Sequence, residues 1–228
     1  YTINIAEDYK FTCKKSPETS NRIVVDGTNT SEQDNINIYL DNVNIKTSAG
    51  SALQINNNVK ATVTIYLTGI NNLTTTNQSS AGLQKDNEAQ LIITNASDTT
   101  TGILKASSDG SGYGAGIGSG NYGSCNNITI KSGSVTASST SGAGIGGGLY
   151  GSCNNITISG GSVNAQVGCT PHQNLDSSGS YDPKSPEVYL CVIPNTKTKS
   201  VAIDNKVWEP SNHKAVESTN THLYAWLT

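Results

Sequence analysis

The sequence predicts an all-β fold: a right-handed parallel β-helix with three strands per 27–28-residue coil and about six coils, followed by a C-terminal antiparallel β cap. Three observations predict it. Two segments 28 residues apart are nearly identical: GAGIGSGNYGSCNNITIKSGSVTA begins at Gly114 and GAGIGGGLYGSCNNITISGGSVNA at Gly142. Short runs of alternating apolar residues recur upstream on the same beat. Charged residues are only 14% of the 228-residue chain, against roughly 25% in an average domain, and Gly, Asn, Ser and Thr take their place. Those residues compete with helical hydrogen bonding and suit strands joined by tight turns.

The first face of each coil is read from Ile36-Ile38-Leu40, Val63-Ile65-Leu67, Leu91-Ile93, Ile128-Ile130 and Ile156-Ile158, whose starts lie 27, 28, 37 and 28 residues apart. The long interval is assigned to a Gly/Ser-rich loop at 107–114. The second face is read from Val43-Ile45, Leu73, Leu104, Val135 and Val163. The third is read from Ala52-Leu53, Ala81-Gly82-Leu83, Ala115-Gly116-Ile117 and Ala143-Gly144-Ile145. A degenerate first coil uses Ile3-Ile5, Tyr9-Phe11-Cys13 and Ile23-Val25.

Alternation with period 2 sends one set of side chains inward and the other outward. A single coil cannot bury its apolar side. Stacking at about 4.8 Å pairs each strand with its copies and builds a continuous aliphatic column, about 29 Å long for six coils. Right-handedness follows from the general chirality of parallel β connections. An antiparallel sandwich would explain the strands but not the repeated glycines, tyrosines and cysteines.

Periodicity ends after Ala165, so the chain divides into a β-helix at 1–170 and a surface loop plus cap at 171–228. Strand-like runs at 188–193, 201–203, 206–208 and 222–227 form the cap, whose task is to cover the last coil's open edge. Trp208 and Trp226 are expected in its core.

The net charge is -3 and Lys and Arg are scattered, so no footprint for nucleic acid exists. No apolar run approaches the roughly 20 residues that span a bilayer, so this fragment does not insert into a membrane directly. The chain begins at Tyr1 and contains no Met, and is read as an excised piece of a longer protein.

Tyr122 and Tyr150 are repeat equivalents and should stack at one corner, where two phenol rings on an uncharged surface can receive the apolar face of a sugar. Tyr113, with Asp109 beside it, would extend that platform. Tyr39 and Tyr66 form a second pair, either an exposed aromatic patch or, as the reading favours, a surface under the C-terminal segment. Cys125 and Cys153 should face each other on adjacent coils, either bonded or as two stacked thiols. Cys169 and Cys191 flank a loop they could staple, and an inward Cys13 would be left free. The acids occupy no common repeat position, the three His all lie in the tail, and Arg22 is the only arginine. No paired carboxylates or metal-ligand spacing stand out, so the chain is read as non-catalytic and without a metal centre.

The GAGIG…NITI..GSV.A pattern resembles the glycine-rich repeats of β-helical surface proteins of anaerobic bacteria, and is similar to a clostridial carbohydrate-binding β-helix family. The resemblance covers about 36–165. The tail, ending in Leu223-Tyr224-Ala225-Trp226-Leu227, resembles the module that closes such repeats. The resemblance implies an extracellular, secreted or cell-surface module that binds carbohydrate or another cell-surface polymer and mediates adhesion. Some of those relatives carry calcium on Asp-rich turns. Here the turns read AGLQ, AGIG and AGIG, so no cofactor is expected, with calcium the one alternative. A rigid spacer and a polysaccharide lyase or hydrolase are the rival readings.

Overall fold

The computed structural model describes residues 1–13, 18–99 and 101–167, and the backbone of five further strands between 189 and 227. The chain forms two compact units, Tyr1–Cys169 and Thr170–Thr228.

The first unit is a parallel β-solenoid of six coils. The first coil contains β1 (Thr2–Ile3) and β2 (Asp8–Thr12); the second β3 (Ile23–Val25), β4 (Asn35–Asp41) and β5 (Asn44–Thr47). The third contains β6 (Leu53–Ile55), β7 (Thr62–Thr68) and β8 (Ile70–Thr75); the fourth β9 (Leu83–Lys85), β10 (Leu91–Asn95) and β11 (Ile103–Ser108). The fifth contains β12 (Ile117–Gly118), β13 (Ser124–Ile130) and β14 (Ser134–Ser139); the sixth β15 (Ile145–Gly146), β16 (Ser152–Ile158) and β17 (Ser162–Val167). These strands build three sheets, ordered β1-β3-β6-β9-β12-β15, β2-β4-β7-β10-β13-β16 and β5-β8-β11-β14-β17. In the first coil, Thr19 bridges Ile45 where a strand of the third sheet would stand.

Register follows the apolar beat. In the second sheet Ile36, Val63, Leu91, Ile128 and Ile156 pair in succession. In the first sheet Ile23, Leu53, Leu83, Ile117 and Ile145 do the same. The inward Ile, Val and Leu side chains of the second to fifth coils are buried in one cluster along the stack, and Ile145, Ile156, Ile158 and Val163 of the sixth pack against it partly buried.

Two sequence expectations are corrected. The residues at 107–114 do not hold the long interval's insertion: Ser107 and Ser108 are strand residues, paired with Thr74 and Thr75. Ala106 follows Leu91 by 15 positions where their partners Leu73 and Val63 stand 10 apart, so most of the excess is the turn between β10 and β11. Ile128 follows Ile117 by 11 where Leu91 follows Leu83 by 8, so the corner before β13 is longer as well. Leu73 and Leu104 also do not share a column. Leu73 pairs with Ala106, and Leu104 pairs with Asn71.

Asn71 is fully buried. Its Oδ1 accepts the Val43 N–H at 2.9 Å, and its Nδ2 donates to the carbonyl oxygens of Thr68 (3.1 Å) and Ile103 (3.2 Å). An amide tolerates this depth because each of its polar groups has a partner.

The second unit contains β18 (Tyr189–Pro194), β19 (Val201–Ile203), β20 (Lys206–Trp208), β21 (Val216–Ser218) and β22 (His222–Leu227). β22 pairs antiparallel with both β18 and β21, and β19 pairs antiparallel with β20. β21 falls in a stretch that its sequence pattern did not mark as a strand. The covering of the last coil and the surroundings of Trp208 and Trp226 lie outside the described residues.

Candidate functional site

The long corner between the first and second sheets repeats in coils five and six. At its tip stand Tyr122 and Tyr150, both with φ of 57°. This left-handed backbone is unfavourable for a bulky side chain, at roughly 1–2 kcal/mol each. The loop backbone imposes it. The Gly123 N–H donates to Gly120 O (3.0 Å) and the Gly151 N–H to Gly148 O (2.8 Å), closing two tight turns. A Cβ on Gly123 would lie 2.0 Å from Asp86 Oδ1, and one on Gly151 would lie 2.4 Å from Gly123 O. Glycine at these two positions therefore allows the loops to nest.

The nested loops are joined along the stack. The Tyr122 N–H donates to Leu149 O at 2.9 Å, and the Leu149 N–H donates to Tyr113 O at 2.6 Å. Asp86, one coil earlier, accepts the Gly120 N–H at 2.8 Å and the Gln84 amide at 2.5 Å. Three residues beyond each tyrosine, Cys125 and Cys153 are joined by a disulfide, with Cα atoms 4.4 Å apart and Cys125 fully buried. Each tyrosine is thus held between a hydrogen-bonded loop and a covalent link in the core.

Tyr122 and Tyr150 are 71% and 64% exposed. Their centroids are 5.1 Å apart and their planes 20° apart. At that separation near-parallel rings lie face against face rather than side by side. The stack expected from the sequence is therefore formed at this corner. Both residues stay largely open to solvent.

Tyr113 and Asp109 are not part of this stack. Tyr113 reaches the corner through its carbonyl, and its half-buried ring makes no ring contact among the described residues. Asp109 faces away, lining a shallow trough on the third sheet with Glu18, Lys46, Lys105 and Thr136.

Tyr39 and Tyr66, paired in register, form a tighter stack, with centroids 4.6 Å apart and planes at 11°. Both are half-buried. The Tyr39 phenol is held above its ordinary pKa, first by burial and then by the Asp8 carboxylate and Tyr66. Whether the C-terminal segment covers this pair lies outside the described residues.

Cys13 is half-buried and carries a free thiol. The proposed pairing of Cys169 with Cys191 lies outside the described residues. Among the described residues no three His, Cys, Asp or Glu side chains converge as metal ligands would.

Sequence reasoning missed Lys85. It pairs with Ile55 at an inward position and is fully buried. Its Nζ donates to the carbonyl oxygens of Asn87 (3.0 Å) and Asn126. Desolvation lowers its pKa to about 8, against the opposing pull of Glu88 and Asp86. The alignment of LQI at 53–55 with LQK at 83–85 carried the signal.

A family model described as Beta helix repeat matches residues 128–149 and 156–179. Comparison with curated proteins and with solved structures returns no match. Fold and match together define the class of protein: a β-helix repeat solenoid. Over parts of its fifth and sixth coils the chain is similar to that repeat family.

Proposed function

We propose that this chain is a non-catalytic, extracellular binding module that uses the Tyr122–Tyr150 corner to hold carbohydrate, in the service of adhesion by a surface protein. One observation carries the reading: two bulky, exposed aromatic residues are held at positive φ by their loops. Strain that packing does not repay points to a function. Tyrosine supplies a large apolar face and a hydroxyl at little entropic cost, as the C–H face and rim hydroxyls of a pyranose require. The buried disulfide agrees with an oxidising compartment. The resemblance of the GAGIG repeats to bacterial surface proteins points the same way.

The test is binding of the purified chain to a broad glycan and plant-polysaccharide array, with calcium and with EDTA. A reproducible hit that Tyr122→Ala with Tyr150→Ala abolishes is expected, unchanged by EDTA. A blank array overturns the carbohydrate reading. Release of unsaturated or reducing sugar ends overturns the non-catalytic part.

A rigid spacer is the second reading, favoured by the unbroken aliphatic column through six coils. It expects no ligand at all.

A further inference from the structure

The second sheet's outer face carries an aromatic column that stops abruptly. Lys10, Tyr39, Tyr66 and Thr94 stand in register on four successive coils. Lys131 occupies the next rung, because it follows Ile130, the partner of Ile93. Tyr39 and Tyr66 cover each other's inner faces. The outer face of Tyr39 looks toward Lys10, whose ammonium lies 3.5 Å from Asp41. The outer face of Tyr66 looks toward Thr94, a far shorter side chain.

A slot results. Tyr66 is one wall, Thr94 the floor, and exposed Lys131 the opposite wall. The two walls are two rungs apart, about 9.6 Å between backbones at roughly 4.8 Å per rung. The floor is polar: Thr94 Oγ1 and Ser132 Oγ lie 2.9 Å apart in a hydrogen bond. Lys131 has no ion pair among the described residues, so its ammonium is open to a ligand.

From this geometry we infer a second carbohydrate site, in which a neutral pyranose packs its C–H face on Tyr66 while its hydroxyls meet Thr94 and Lys131. The aromatic wall accounts for the apolar face of such a ring, and the hydroxyl floor and ammonium for its rim. This inference rests on the carbohydrate reading of the protein but on different residues, on the face of a sheet rather than at a corner. With both sites occupied, one chain engages a polymer at two places, and avidity exceeds either affinity.

The experiment is an amide and methyl NMR titration of the whole chain with cellohexaose, xylohexaose and mannohexaose. The expected result is a set of shifts at Thr94 and Lys131 with at least one of these, separate from shifts at Tyr122 and Tyr150. Tyr66→Ala should weaken the first set at least tenfold and spare the second. Lys131→Ala, at an exposed position, should weaken it severalfold without disturbing the fold. Shifts confined to the Tyr122–Tyr150 corner overturn the slot and leave the corner standing. The slot is also overturned if Tyr66→Ala leaves the Thr94 shifts intact, or if a soluble paramagnetic agent fails to reach the Tyr66 ring. No shifts anywhere overturn both sites.

Discussion

Lys85 stands in the first sheet at the position that Ile55 fills one coil earlier, and its ammonium bonds two backbone carbonyls with no carboxylate in contact. Its pKa of about 8 lies below the ordinary 10.5 because burial disfavours the charge. Between those values the unfolded chain binds a proton that the folded chain has released. Stability therefore rises with pH through this window, by up to about 3 kcal/mol, and this group adds no slope below it. Lys85→Met should abolish that rise. Urea unfolding of both proteins at pH 7.5 and pH 10 measures it; parallel profiles would refute the assignment.

Asn71 supplies a second test. The repeat pattern alone recommends an apolar residue there, since Leu104 and Val135 follow it in the column. Asn71→Leu is nevertheless expected to destabilise by about 1–3 kcal/mol, because it strands the buried Val43 N–H. A denaturation midpoint equal to or above that of the parent chain would show that packing outweighs the lost hydrogen bonds.

The Tyr122–Tyr150 pair separates function from architecture. Asn tolerates positive φ, and the chain already places Asn127 and Asn155 in that conformation. Tyr122→Asn with Tyr150→Asn should leave stability unchanged or raise it by about 1 kcal/mol, while glycan binding is lost. A fall in melting temperature would instead mark the pair as a structural ladder.

The disulfide between Cys125 and Cys153 closes a loop of 28 residues. Chain entropy assigns such a cross-link roughly 3–4 kcal/mol. Cys125→Ala with Cys153→Ala should lower the unfolding free energy by about that amount and speed hydrogen exchange at Tyr122 and Leu149. Unchanged exchange there would mean that the loop hydrogen bonds alone fix the corner.

Much of the fold was legible because a solenoid repeats its chemistry. Ile128 and Ile156, or Cys125 and Cys153, announce their pairing by identity at a constant offset. The 28-residue period located the corner tyrosines and their stacking but not their left-handed backbone, which depends on loop dihedrals that the repeat does not encode. Asn71 and Lys85 were passed over because apolar periodicity treats a polar residue on the inward beat as noise. Each is instead a place where backbone groups at a turn need partners inside the stack. The misplaced insertion has a similar cause: Gly and Ser near 107–114 resemble a loop, yet Ser107 and Ser108 continue a ladder begun by Thr74 and Thr75.

The Cys125–Cys153 link also sets how the molecule yields to pulling. In a solenoid each coil is held only by its neighbours, so tension at the ends peels coils away one after another. Between the bonded cysteines that unspooling is blocked. The 28-residue span they enclose holds back about 95 Å of contour, at roughly 3.4 Å per residue, until a reductant cuts the bolt. A tether built this way has a fixed maximum reach under load, and lengthens by one discrete step when its surroundings turn reducing.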